Sequence, residues 1–153
     1  MRRREGFTLI ELMFSMVILF SVLGALTAAA ARFHEAWVHV TEARNDLETA
    51  SRLLRDVKED LRRARFVGAL SSRLSLDWGE GAEIAYEFLS EAGTVRRTGD
   101  GPLREYPHSF DAVEFQDRAD GTVAVEVELR KLNPRSAFHP RLGIRVFCGK
   151  WVR

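Results

Sequence analysis

Hydrophobic and polar positions divide this chain sharply. Residues 7–31 are apolar with a single ionisable side chain, Glu11, and from Arg32 onward charges are dense and interspersed. A run of roughly 20 apolar helical residues crosses the hydrocarbon core of a bilayer, so this one is long enough to span it. Arg2, Arg3 and Arg4 precede the run and favour the cytoplasmic side. The pattern predicts a single-pass chain whose C-terminal part lies outside the cytoplasm.

Helical periodicity continues past the apolar run. Phe33, Trp37, Val40, Ala43, Leu47, Ala50, Leu54, Val57, Leu61 and Ala64 recur at steps of three and four, which places them on one stripe of a helix. No Gly or Pro interrupts residues 25–67, so one helix is expected from Phe7 to about Phe66. Its second half should lay the stripe on a globular head. The other positions, Arg52, Arg55, Asp56, Lys58, Glu59, Asp60, Arg62, Arg63 and Arg65, read as a solvated face with weak i,i+3 and i,i+4 pairs such as Glu59–Arg63. A sharper reading makes that face a subunit-docking surface or a track for a DNA backbone.

From Gly68 the period changes to two. Strands are expected over 70–76, 83–89, 95–98, 112–116, 122–132 and 142–148, with Asp120-Gly121 as a hairpin turn and Glu91-Ala92-Gly93 joining the second strand to the third. Val123, Val125, Val127 and Leu129 share one side, and Glu126, Glu128 and Arg130 the other. Residues 98–107 and 133–140 read as loops. A long N-terminal helix on a small antiparallel sheet is an α+β arrangement.

Charge and candidate chemistry narrow the function. The net charge is +1. Loss of residues 1–6 would remove three arginines and one glutamate and make it −1. The part after Ala31 is neutral, which gives no global pull toward nucleic acid. Cys148 is the only cysteine, so no intrachain disulfide forms, and the residue reads as a small buried hydrophobe. His34, His39, His108 and His139 lack metal-ligand spacing, and no metal or cofactor is expected. Gly99-Asp100-Gly101 reads as a turn rather than a calcium loop. Trp37 fits the membrane interface or the helix stripe; Trp78 and Trp151 fit packing. No catalytic motif is present, and the chain does not read as an enzyme.

Glu11 is the informative residue. A carboxylate within an apolar span is costly and needs a partner, yet residues 7–31 contain no Lys, Arg or His. A chain beginning at Phe7 would supply one, because a free α-amine has an ordinary pKa of about 7.7–8.0. Two other readings of the segment stay open: a secretory signal peptide cut near Ala28-Ala29-Ala30-Ala31, which would release a secreted binding domain, and an uncleaved signal anchor. Neither accounts for Glu11.

Gly6-Phe7-Thr8-Leu9-Ile10-Glu11-Leu12, after a short basic leader, resembles the class III signal of type IV prepilins and type II secretion pseudopilins. The resemblance implies cleavage between Gly6 and Phe7 by a prepilin peptidase and N-methylation of Phe7. It also implies that Glu11 sets subunit register by contacting the methylated amine of a neighbour. The corresponding segments are a leader (1–6), a transmembrane and filament-core helix (7–31), its amphipathic continuation (32–66) and a β-rich head (67–153).

Two departures from major pilins, the lack of a proline before Pro102 and of a second cysteine, point to a minor pilin or pseudopilin. The order Ile84-Ala85-Tyr86-Glu87-Phe88, Val95-Arg96-Arg97, Val113-Glu114-Phe115 is similar to W-type minor pilins and J-type pseudopilins. Implied partners are other pilins or pseudopilins, the peptidase and an inner-membrane assembly platform, with no nucleic acid. The implied location is the bacterial inner membrane with a periplasmic head, and a filament or its tip after assembly.

Overall fold

The computed structural model describes residues 8–79, 81–107, 109–118, 121–130 and 140–147. The architecture is α+β, as expected: helix α1 (Leu9–Arg63) is followed by β1 (Phe66–Leu70), β2 (Arg73–Asp77), β3 (Glu83–Leu89), β4 (Thr94–Gly99), β5 (Arg104–Tyr106), β6 (Phe110–Asp117), β7 (Thr122–Leu129) and β8 (Arg141–Phe147). The chain divides into two compact units, Met1–Thr41 and Glu42–Arg153.

In the first unit every described side chain is exposed, including Leu9, Phe14, Phe20 and Leu26. This part of α1 is long and apolar enough to cross a membrane. Phe33 and Trp37 stack with ring centroids 6.3 Å apart, and both are exposed.

The second unit holds the core. Its helical contribution is Ala50, Leu53, Leu54, Val57 and Leu61. The packed stripe therefore begins near Ala50, and Phe33, Trp37, Val40 and Leu47, expected to continue it, are exposed. The helix meets two antiparallel sheets, ordered β1-β2-β3-β4-β5 and β6-β7-β8. Leu74, Leu76, Ile84, Tyr86 and Val95 come from the first sheet, and Phe115, Val123, Val125 and Val127 from the second; all are essentially inaccessible. Each such side chain contributes roughly 1.5–3 kcal/mol over exposure.

Period-two alternation places β3 and β7 well. Val123, Val125, Val127 and Leu129 are buried, while Glu126 and Arg130 point outward and Glu128 is partly exposed. Three expectations change. The single strand over 70–76 is a hairpin, β1 and β2, turning at Ser71-Ser72. Two serines are a weak turn signal; here distant strands hold the turn, with Phe115 N–H donating to Ser71 O at 3.1 Å and Phe88 N–H to Ser72 O at 2.8 Å. The loop over 98–107 contains β5, paired to β4. The strand over 122–132 ends at Leu129.

Gly99 closes β4 where only glycine fits. Its φ is +111°, and a Cβ there would stand 1.9 Å from Glu83 O. The β6–β7 hairpin is joined by Arg118 N–H to Thr122 O at 3.0 Å, with Gly121 at φ 76°; Asp120 lies outside the described residues. So do Cys148, Trp151, His108, His139 and most of the loop expected over 133–140.

Candidate functional site

Helix α1 opens on a reciprocal cap. Thr8 N–H and Thr8 Oγ1–H donate to Glu11 Oε2 at 3.0 and 2.9 Å, and Glu11 N–H donates to Thr8 Oγ1 at 3.3 Å. This is a capping box, in which a threonine and a glutamate three residues on satisfy each other's backbone donors. The first helical bond follows, from Leu12 N–H to Thr8 O at 3.2 Å. Sequence reasoning assigned Glu11 only a cationic partner and missed Thr8; the spacing Thr-x-x-Glu before an apolar run was the available signal. Both bonds fall on Oε2, and among the described residues Oε1 accepts none. The cap orients the carboxylate and leaves one oxygen for a cation. Gly6 and Phe7, the expected cleavage pair, lie outside the described residues.

The hydroxyls along the apolar segment fold back on the helix. Ser15 donates to Glu11 O at 2.8 Å, Ser21 to Val17 O at 2.8 Å and Thr27 to Gly24 O at 2.9 Å. In hydrocarbon each polar group must find an internal partner. These do so without another chain, and the outer surface left is apolar.

Within the second unit, two carboxylates one helical turn apart tie α1 to the first sheet. Asp60 Oδ2 accepts Tyr86 Oη–H at 2.5 Å and Arg97 Nε–H at 2.9 Å. Asp56 Oδ2 accepts Tyr106 Oη–H at 2.6 Å and Arg104 Nη1–H at 2.8 Å. Burial, then the Asp60 hydrogen bond, pushes the Tyr86 hydroxyl far above the ordinary tyrosine range. Tyr106 is raised likewise, by burial and then by Asp56. Trp78 Nε1–H adds a bond to Asp60 O at 3.3 Å, and the Arg63 guanidinium lies 5.9 Å from the centroid of the Trp78 ring. Asp56 and Asp60, expected on the solvated face, therefore point into the structure. Position 60 is three residues after Val57, so by angle it belongs to the buried stripe; its polarity alone suggested otherwise.

His34 and His39 are exposed. Among the described residues no group of three or more His, Cys, Asp or Glu side chains is placed to hold a metal.

A family model described as the prokaryotic N-terminal methylation motif matches residues 1–27. The motif marks a type IV pilin-like prepilin. No curated protein and no solved structure gives a significant match. The matched motif supports a protein of the type IV pilin or pseudopilin class. The motif implies processing by a prepilin peptidase and assembly with other pilins. The apolar N-terminal helix fits an inner-membrane anchor.

Proposed function

We propose that this protein is a minor pilin, a subunit of the priming or tip complex of a type IV pilus. Prepilin peptidase cuts between Gly6 and Phe7, removing residues 1–6, and Phe7 is N-methylated. Residues 7–31 hold the chain in the inner membrane with residues 67–153 as a periplasmic head, and residues 32–66 continue the helix into that head. An assembly platform then extracts the subunit into the filament. Glu11 sets register by accepting the charged amine of a neighbour's Phe7.

The observation that carries this reading is the Thr8–Glu11 box at the head of a membrane-length helix. It holds a carboxylate with one free oxygen four residues beyond the proposed new N-terminus. A capping glutamate alone would serve any helix; its position directly after Gly6 in a prepilin motif supports the assembly role. The minor assignment rests on the single cysteine and the proline-free apolar run. A second reading is minor pseudopilin of a type II secretion system, since the head sequence is similar to W-type minor pilins and J-type pseudopilins alike.

The test is the N-terminal mass of the protein from its native membrane. A chain beginning at Phe7 with one added methyl group is expected. A start near Ala29 would mean a secreted domain, and an intact Met1 a plain anchor; either outcome removes the filament reading.

A further inference from the structure

Trp37 had two uses by sequence, the membrane interface or the packed helix stripe. The buried stripe begins near Ala50, and Phe33 and Trp37 are 69% and 62% exposed, so the second use falls away. The two rings are nevertheless organised. Their centroids are 6.3 Å apart and their planes 25° from parallel. Side chains four residues apart share a helix face, and Leu26, Ala30 and Val40 lie on that same face. The pair therefore continues the apolar surface of the span.

Helix length places the pair. Residues 12–31 hold no ionisable side chain, and at 1.5 Å per residue they are about 30 Å long, the thickness of the hydrocarbon core. Glu11 marks one end of this stretch and Arg32 the other. Phe33 and Trp37 stand about 3 and 9 Å past Ala31 along the axis. Helical side chains lean toward the N-terminus, so the Trp37 ring tilts back over Phe33 toward the hydrocarbon. The headgroup layer on each side is about 5–7 Å deep, and both rings fall within it. Glu42, Arg44 and Asn45, farther along, are exposed and polar, as suits water.

Two polar groups at this level lack partners. Arg32 makes no hydrogen bond or ion pair among the described residues, and Trp37 Nε1–H finds no acceptor there. An arginine stem can follow apolar surface while its guanidinium reaches a phosphate. An indole keeps its body in an apolar layer and its N–H in a wet one.

We infer that Arg32, Phe33 and Trp37 bind the lipid headgroup layer at the C-terminal end of the span. The rings lie at the level of the lipid carbonyls and the guanidinium on a lipid phosphate. Movement of the helix in either direction along the membrane normal is opposed, because the rings would enter water one way and the indole N–H and Arg32 would enter hydrocarbon the other. Arg2, Arg3 and Arg4 hold the opposite end only while residues 1–6 remain. This anchor persists after their removal, a consequence that rests on the filament reading; the lipid contact itself does not.

The experiment is depth-resolved fluorescence quenching of the full chain in vesicles of phosphatidylethanolamine and phosphatidylglycerol. The Trp37 signal is the difference between the parent and Trp37→Phe, since Trp78 and Trp151 are common to both. A nitroxide near the headgroup end of the acyl chain should quench that signal at least about twofold more than one at the chain terminus. Arg32→Glu should reduce this preference, and Arg32→Lys should keep it. Strongest quenching at the chain terminus would put Trp37 in hydrocarbon and overturn the inference. So would quenching by aqueous acrylamide equal to that of free tryptophan, or headgroup quenching that disappears as the protein-to-lipid ratio rises, which would mean that another helix covers the rings. The N-terminal mass of the same sample separates the two proposals. A start at Phe7 with Trp37 in water fails the anchor alone, and an intact Met1 with Trp37 among headgroups fails the filament reading alone.

Discussion

Asp56 and Asp60 offer a comparison, because each accepts a hydrogen bond from one tyrosine hydroxyl and one arginine; they differ in the exposure of that arginine, and Asp56 Oδ1 also lies 4.0 Å from the exposed Arg55. The Arg97 side chain is 9% exposed and that of Arg104 is 52% exposed. Asp60→Ala leaves a guanidinium and a tyrosine hydroxyl buried without their acceptor, and breaking a buried pair from one side costs about 3–5 kcal/mol. Asp56→Ala lets Arg104 turn to water, so its half of the pair adds little to the cost. The remaining loss is the Tyr106 bond to a charged acceptor, about 1.5–3 kcal/mol. Asp60→Ala should therefore be the more costly substitution, by about 1–2 kcal/mol between the middles of these ranges. Replacing the pair together, Asp60→Leu with Arg97→Met, should recover more than half of the Asp60→Ala loss, since apolar substitutes for a buried ion pair are often neutral or better. The assay is urea unfolding of the full chain in micelles, followed by near-UV circular dichroism of the tyrosines and Trp78 so that the membrane helix does not contribute. Equal costs for the two alanine variants would refute the argument that arginine burial sets the magnitude.

Stability should fall at alkaline pH, because Tyr86 and Tyr106 are held above the ordinary tyrosine value. Above about pH 10 the unfolded chain loses these protons while the folded one keeps them, a loss of about 1.4 kcal/mol per pH unit for each tyrosine. Urea midpoints measured from pH 8 to 11 should decline more steeply for the parent than for Tyr86→Phe. Thr8→Val removes a cap worth about 1 kcal/mol and the hydroxyl's bond to Glu11 Oε2, while the backbone N–H bond to that oxygen is kept; amide exchange at residues 9–12 should speed up, while N-terminal processing, read by mass, should persist. Gly99→Ala forces a Cβ onto Glu83 O in a left-handed backbone, a strain of about 1–3 kcal/mol before any clash, visible as a lower melting temperature.

Sequence alone determined the apolar span, its single carboxylate, the prepilin motif and strands such as β3 and the alternating β7. These are local properties: a period, a spacing, or a charge inside a run of hydrocarbon. Thr8–Glu11 was equally legible as Thr-x-x-Glu. What the tertiary structure decided depends on partners far away in the chain. The Ser71-Ser72 turn exists because β3 and β6 donate to its carbonyls, and β5 is placed where Tyr106 and Arg104 reach Asp56. The extent of the buried stripe, from near Ala50 and not from Phe33, depends on where the sheets stand. The inward turn of Asp56 and Asp60 has the same origin: buried tyrosine and arginine donors offset the desolvation of two carboxylates, and a count of charges along one helix contains no information about donors that other strands supply.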